Sequence, residues 1–288
     1  MTEEWKDPVE AITYTGTDRV VHFTDYLLQK AGDIGGNKRF YSGFSQFDSK
    51  MGGLETGEVI IISGHRKEGK TLFAESWIKG MVDKDPEAKA MILSYEVQAD
   101  KLLAKYISNI NRPIYLPLSL ETMDFEWLKK KCVEAKFKYN CKIVLIDHLH
   151  FMVDMNTKQN MSLNIGAFMR RLKQDIALKL NMAAILIAHQ GQPKEGRDAS
   201  IDSIRDSSFV AQESDATIIV SRRKNLDAVE LHDVGEELSR KLKAPDDAPF
   251  EDKFSAQLAL VKIECHRRTG VFQWKKLYQK RGEFFEEV

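Results

Sequence analysis

Cysteine is scarce in this chain, and what there is does not pair. Cys132, Cys141 and Cys265 are odd in number and show no C-x-x-C spacing. That excludes a disulfide framework and a zinc ribbon, and leaves reduced, buried thiols. Long apolar runs are missing as well. Those present, such as the ones within Glu58–Ser63 and Ile143–Ile146, are strand-length, far from the roughly 18–20 residues of a membrane span. The charged N-terminus lacks a signal-peptide core, so the expectation is a cytoplasmic protein with no membrane partner. Charge of one sign is absent too: 43 Lys and Arg balance 43 Asp and Glu. A surface that coats duplex DNA all over is thereby excluded, and any nucleic acid must meet a local patch or one created by assembly. There is no internal repeat and no low-complexity tract.

What is present is an alternation of strands and helices within 288 residues, a length that suits one large α/β core. Residues 1–20 are polar and irregular. Val21–Ala31 carries Phe23, Tyr26 and Leu27 at helical spacing and stops at Gly32 and Gly35-Gly36, a short helix on a tether. The division expected is an arm with a linker helix over 1–40 and one main domain over 41–288. In that domain strands are predicted at Val59–Ser63, Ala90–Tyr95, Lys142–Asp147, Ala183–Ala188 and Ala216–Arg222. Helices are predicted from the glycine loop to Val82 and over Ala99–Ile110, Phe125–Phe137 and Leu163–Leu180, with Val210–Gln212 helical. Such alternation means a doubly wound, mostly parallel sheet with helices on both faces. A charged excursion over 223–256 carries Pro245 and Pro249. The chain then ends in strands at Gln257–Cys265, Gly270–Lys276 and Gly282–Glu286, predicted to form antiparallel hairpins.

The strongest chemical signal is Gly64-His65-Arg66-Lys67-Glu68-Gly69-Lys70-Thr71, the pattern G-x-x-x-x-G-K-T. A chain of this length matches it by chance about one time in a hundred. Here an apolar strand precedes it and an amphipathic helix, opening with Leu72, follows, which is the context a phosphate-binding loop requires. Backbone N–H groups of such a loop face phosphates, Lys70 reaches the β- and γ-phosphates, and the Thr71 hydroxyl ligates Mg²⁺. ATP and Mg²⁺ are the cofactors expected. Asp147 closes the strand Ile143–Ile146, where a carboxylate can hold the same Mg²⁺ through water; the plainer alternative is a cap for the next segment. Glu96 follows the strand Met91–Tyr95 and either polarises the water attacking the γ-phosphate or supplies charge at a helix N-terminus. Gln190, after Ala183–Ala188, is an amide able to contact the γ-phosphate. Three polar residues ending three strands beside one glycine loop say more than any alone.

With these residues in hand the chain resembles the motor domain of DnaB-type replicative hexameric helicases, RecA-like P-loop ATPases of bacterial or phage type, from about Tyr41 to the C-terminus. Phe44–Asp48 with Gly52–Gly57 is similar to the family's G-F-x-x-L-D…G-G-L-x-x-G lead-in. Ser94-Tyr95-Glu96 resembles its S-L-E-M stretch, whose Glu is the catalytic base, and Ile187–Gln190 resembles the motif ending in the γ-phosphate sensor. Arg205–Asp215 shadows R-E-S-G-x-I-x-Q-x-A-D, which in relatives lies beside the loops lining a DNA channel. Lys262–Val271 resembles K-x-R-x-G-x-T-G, which supplies basic fingers to the adjacent subunit's ATP. The sequence departs there, reading His266-Arg267-Arg268-Thr269-Gly270; Arg267 is the first choice of finger and Arg268 the second, with Lys262 also in reach. His65-Arg66 replaces the usual Arg-Pro, and His148 follows Asp147 where Tyr is common.

The resemblance implies an ATP-dependent helicase or translocase on single-stranded DNA in replication. It implies self-association into a hexamer or helical oligomer, with a primase or loader as further partner. Arg205, and Lys158, Lys194 and Arg197 in two polar loops, are the DNA-binding candidates; ordinary solvated loops are the alternative for the last three. His148, His150 and His189 fit no zinc spacing and are read as loop packing or as hydrogen-bonding support beside the phosphate site. Arg222–Lys224 is read as a solvated strand end. Two other functions stay open: a RecA-like recombination or loading mediator that binds DNA without unwinding it, and a regulatory ATPase subunit.

Overall fold

The computed structural model describes residues 8–13, 15, 19–25, 37–95, 111–121, 124–149, 161–190, 210, 212–222, 258–281 and 284–287. The chain separates into two compact units, Met1–Lys38 and Arg39–Val288. In the first, α1 spans Pro8–Thr13; of the expected Val21–Ala31 helix, residues 21–22 are not helical, residues 23–25 are, and residues 26–31 lie outside the described residues.

In the second unit, nine strands among the described residues form one sheet in the order β11-β10-β9-β8-β3-β7-β6-β4-β5. Their ranges are β3 Val59–Gly64, β4 Ala90–Ser94, β5 Ile114–Tyr115, β6 Ile143–Asp147, β7 Ala183–His189, β8 Ala216–Arg222, β9 Leu258–His266, β10 Phe272–Arg281 and β11 Phe284–Glu287. From β8 through β5 neighbouring strands pair in parallel, and β9, β10 and β11 add antiparallel hairpins beside β8. This is the doubly wound, mostly parallel sheet with C-terminal antiparallel strands read from the sequence.

Buried parallel strands are apolar on both faces, and alternate residues divide between two cores. Ile60, Ile62, Ile92, Leu145, Ile185 and Val220 face α3 (Lys70–Lys84), which presents Phe73, Trp77 and Met81 at four-residue intervals. Val59, Ile61, Leu93, Val144, Ile146 and Leu186 face α4 (Phe125–Tyr139) and α5 (Met161–Arg171). Helix α4 starts where Asp124 accepts a hydrogen bond from the Glu126 amide and stops at left-handed Asn140. Phe73 sits at the centre of an aromatic cluster, its ring centroid 5.5 to 6.4 Å from those of Phe44, Phe47, Trp77, Tyr278 and Phe285. The lead-in segment and the C-terminal hairpin thereby grip the helix that follows the glycine loop.

Five elements go beyond the sequence-based expectation: α2 (Ser45–Met51), the small antiparallel pair of β1 (Arg39–Phe40) with β2 (Leu54–Glu55), the edge strand β5, and a π-helix. The expected Leu163–Leu180 helix is α-helical only to Arg171. It continues as a π-helix over Leu172–Leu178, closed by i→i+5 bonds from Lys179 N to Gln174 O and Met182 N to Ala177 O, both 3.1 Å. Apolar spacing over two turns does not separate the two helix types. The expected helix Ala99–Ile110 and the excursion 223–256 lie outside the described residues.

At the N-terminal edge of the parallel strands, two polar networks tie the elements together. Asp215 accepts hydrogen bonds from the Val59 amide at 2.7 Å and from Lys173 Nζ at 2.6 Å, while Lys173 also donates to Gly57 O at 2.9 Å. Beside it, Arg268 donates to Glu58 through Nε at 2.7 Å and to the carbonyls of Gly53 at 2.8 Å and Met51 at 3.1 Å. Buried His266 lies 3.2 Å from Glu58 Oε1 and 2.8 Å from the Thr269 hydroxyl. Burial alone would raise the Glu58 carboxyl, but hydrogen bonds from His266 and Arg268 outweigh it and hold the group at about 2.

These networks can be tested separately. Asp215→Ala leaves the Val59 amide without its acceptor and the Lys173 ammonium with only the Gly57 carbonyl, and should lower unfolding stability by about 2–3 kcal/mol, read as a lower urea midpoint at unchanged slope. Glu58 has its folded-state value depressed, so its contribution is present above the usual carboxylate range and lost as pH falls from there towards about 2. Acid titration of unfolding should therefore show a loss of stability across that window, and Glu58→Gln should flatten it.

Candidate nucleotide site

The glycine loop joins β3 to α3 at the C-terminal edge of the parallel strands, the edge where doubly wound sheets bind ligands. Gly64 has φ +151°, and a Cβ there would stand 2.1 Å from Val220 O, so the loop can leave β3 only at glycine. Gly69 (φ +93°) precedes the first turn of α3, and a Cβ on it would meet the Phe285 ring at 3.2 Å. Lys67 is left-handed at φ 64° without being glycine, a conformation that costs about 1–2 kcal/mol. His65 to Gly69 are exposed or half-buried, and Lys70 is buried with Nζ donating to His65 O at 2.6 Å. Leu72 packs against the core on the α3 side.

Strand register brings the other groups to this loop. Asp147 is 1% exposed at the end of β6, and its Oδ2 accepts a hydrogen bond from Thr71 Oγ1 at 2.8 Å. The neighbouring strand is fixed by Tyr95 N donating to Asp147 O at 2.8 Å, and Ser94 is the register partner of Asp147. On the other side, β7 ends with His189 opposite Gly64, and Gln190 N donates to Gly64 O at 3.4 Å. The rings of His148 and His189 meet edge to face with centroids 4.2 Å apart, which agrees with reading them as packing at the strand ends.

The structure thus brings together Gly64, His65, Arg66, Lys67, Glu68, Gly69, Lys70, Thr71, Leu72, Asp147 and Gln190. Glu96, Lys158, Lys194, Arg197 and Arg205 lie outside the described residues. Arg267 and Arg268 stand at the opposite edge, in the turn between β9 and β10. Arg268 is bound within the chain as described above. Arg267 is exposed, its amide donating to Asp215 O at 2.8 Å and its guanidinium to Gln212 O. Laid on K-x-R-x-G from Lys262, the arginine place falls on buried Glu264, which pairs with Lys262 at 2.9 Å.

Three groups at the site escape a reading of the sequence. The Arg222 amide donates to the Glu68 carboxylate, so the end of β8 adjoins the glycine loop. Phe285, whose amide donates to Ser76 Oγ at 3.1 Å, packs against Gly69. Ser94 shares a sheet face and a register pair with Asp147. Only the last leaves a signal: Ala90, Ile92 and Ser94 alternate onto the α3 face, and the third is polar.

The arrangement suits a nucleotide triphosphate with a divalent cation. A glycine loop at a helix N-terminus presents backbone donors to an anion. The hydroxyl–carboxylate pair of Thr71 and Asp147 is an all-oxygen set suited to a hard cation such as Mg²⁺.

Comparison with known proteins agrees with this geometry. Residues 40–114 and 111–286 match the family described as DnaB-like helicase C terminal domain. The chain is 24% identical over 225 residues to the replicative DNA helicase DnaB of Rhodothermus marinus, covering 67% of this chain and 24% of that protein. It is 24% identical over 230 residues to the replicative DNA helicase DnaC of Bacillus subtilis (strain 168), covering 69% of this chain and 50% of that one. It therefore spans half or less of the length of these relatives. Among solved structures, one described as an ATPase domain superposes with a TM-score of 0.65 at 16% identity, over 92% of this chain and 97% of that one. A DnaB-like replicative helicase studied for its interactions with primase superposes with a TM-score of 0.68 at 17% identity, over 93% of this chain and 68% of that one. Matched in two segments that together run from residue 40 to residue 286, the chain belongs to the family of DnaB-like helicase C-terminal domains.

Proposed function

We propose that this chain is an Mg²⁺-dependent ATP-hydrolysing motor that moves along single-stranded DNA, with ATP held at the interface between copies and duplex unwinding in replication as the result. The observation that carries the reading is the polarity of the sheet. Lys70, Thr71 and Asp147 stand at the C-terminal edge of the parallel strands, and Arg267 stands at the other. At about 3.3 Å per residue, the six residues of β3 separate the edges by roughly 20 Å. A basic group there is out of reach of its own loop and available to the loop of a neighbour.

The chain's residues then divide the work. Amides of residues 64–71 and the Lys70 ammonium hold the phosphates. Thr71 and Asp147 hold the cation, which neutralises charge developing on the transferred phosphoryl group when bound. Glu96 takes the proton from the attacking water, and Gln190 contacts the γ-phosphate. Arg267 of one copy stabilises the transition state in the next, and Arg268, held by Glu58 and the carbonyls of the 51–53 turn, sets the position of Arg267. Lys158, Lys194, Arg197 and Arg205 are the groups proposed to contact DNA phosphates. The partners proposed are single-stranded DNA, further copies in a hexamer or helical oligomer, and a primase or loader, in the cytoplasm. The division proposed is an arm with a linker helix over 1–40 and the motor domain over 41–288.

The test is ATP hydrolysis with and without single-stranded DNA, beside oligomer mass with and without nucleotide. Stimulation by DNA and nucleotide-dependent assembly are expected; a monomer that ignores DNA sinks the reading. Arg267→Ala should keep nucleotide binding and lose at least about a hundredfold in turnover. Mixing Arg267→Ala with Lys70→Ala chains should restore part of the activity, because some interfaces then pair an intact loop with an intact Arg267.

A further inference from the structure

We propose that Ser94 is a positioning residue of the nucleotide site, its hydroxyl binding the water shell of the divalent cation that Thr71 and Asp147 hold. The inference rests on the nucleotide-site reading and adds a group to it. Ser94 closes β4 and is 3% exposed. Among the described residues its Oγ meets no hydrogen-bond partner. A buried serine hydroxyl carries one donor and two acceptor positions, and leaving them unmet destabilises the fold. The other β4 residues on this face, Ala90 and Ile92, are apolar and packed, so a hydroxyl that only filled space would be better replaced by a methyl group.

Its position accounts for it. Ser94 and Asp147 are register partners on adjacent parallel strands, about 4.8 Å apart in the pairing direction. They alternate onto the same face, the one α3 covers, and from the first turn of α3 the Thr71 hydroxyl reaches the Asp147 carboxylate at 2.8 Å. Ser94 is thus the polar neighbour of the carboxylate on the side away from β7. Mg²⁺ keeps several waters when one or two protein oxygens hold it. A neutral hydroxyl that both donates and accepts suits such a water, where a second carboxylate would repel Asp147.

The experiment compares Ser94→Ala and Ser94→Thr with wild type in the full chain, using a fluorescent adenosine diphosphate as probe over a Mg²⁺ titration. Thermal unfolding without nucleotide or metal is measured beside it. Removing an unmet hydroxyl should raise the unfolding midpoint of Ser94→Ala by about 1–2 °C. The Mg²⁺ concentration giving half-maximal nucleotide binding should rise about fivefold, with binding in chelator unchanged. Ser94→Thr, which keeps the hydroxyl on a residue suited to a strand, should retain the wild-type Mg²⁺ response. A lower midpoint in Ser94→Ala would assign the hydroxyl to structure and overturn the proposal, as would an unchanged Mg²⁺ response. Thr71→Ala separates the two failures. If it abolishes the Mg²⁺ response while Ser94→Ala does not, Ser94 alone is wrong; if wild type binds the probe without regard to Mg²⁺, the nucleotide-site reading falls with it.

Discussion

Parallel pairing of β3 with β7 and β8, and of β6 with β4 and β7, is the constraint from which the site follows. Because these strands share a direction, their C-terminal ends share an edge, and whatever residue ends each strand is delivered there. Register then decides which residues meet. Asp147 stands level with Ser94 and Ile187, and Gly64 with His189, so a slip of one residue on β6 would turn the Asp147 carboxylate to the face away from Thr71. Register in turn is enforced by two apolar cores: the alternation that aims Asp147 at α3 is the one that buries Ile143 and Leu145 on that side and Val144 and Ile146 on the other. The chemistry is therefore fixed by packing on the whole sheet, and the 2.8 Å contact of Thr71 with Asp147 is its local expression.

The opposite edge has a different logic. Glu58, Lys173, Asp215 and Arg268 meet there because four chain segments begin or turn at that edge and their backbone groups need partners. Asp215 satisfies the first amide of β3, and Arg268 covers three carbonyls of the 51–53 turn. These are charges of low exposure held by several hydrogen bonds each, the situation in which loss of one partner costs most. The adjacent Arg267 is left outward. One arginine stabilises the turn and the next is presented by it, a division that two neighbouring letters in a sequence do not reveal.

Much of the sheet is legible in the sequence because its signals are local. Apolar runs of five to seven residues, the glycine loop between a strand and a helix, and Asp147 at a strand end can all be read without knowledge of the fold. What escapes depends on contacts between residues far apart in the chain. Phe285 against Gly69 and Arg222 beside Glu68 are separated by more than a hundred and fifty positions, and nothing in either segment announces the other. Strands β1, β2 and β5 are hidden by their length, since two residues have no periodicity to detect. The π-helix is hidden for a related reason: Leu172, Ile176 and Ala177 are buried as an α-helix would bury them, and only hydrogen-bond register distinguishes the two. Nothing local separates Arg267 from Arg268 either, because their difference lies in Glu58, more than two hundred residues earlier.

Strand β8 links the two edges. Its last residue, Arg222, donates its amide to Glu68 in the glycine loop, and Asp215, just before its first, accepts from the Arg267 amide. Between them the strand is paired on both sides, in parallel with β3 and antiparallel with β9, with Ala216, Ile218 and Val220 buried. A strand paired on both sides and packed on its faces does not stretch, so the separation between the glycine loop and Arg267 within one subunit is set by covalent geometry and ladder hydrogen bonds. Side chains at either end can turn, but the two edges cannot approach. In the motor proposed above, a cycle that varies the distance between one copy's loop and the next copy's Arg267 would have to move one copy against the other, which would make the whole domain, and not a loop within it, the moving part.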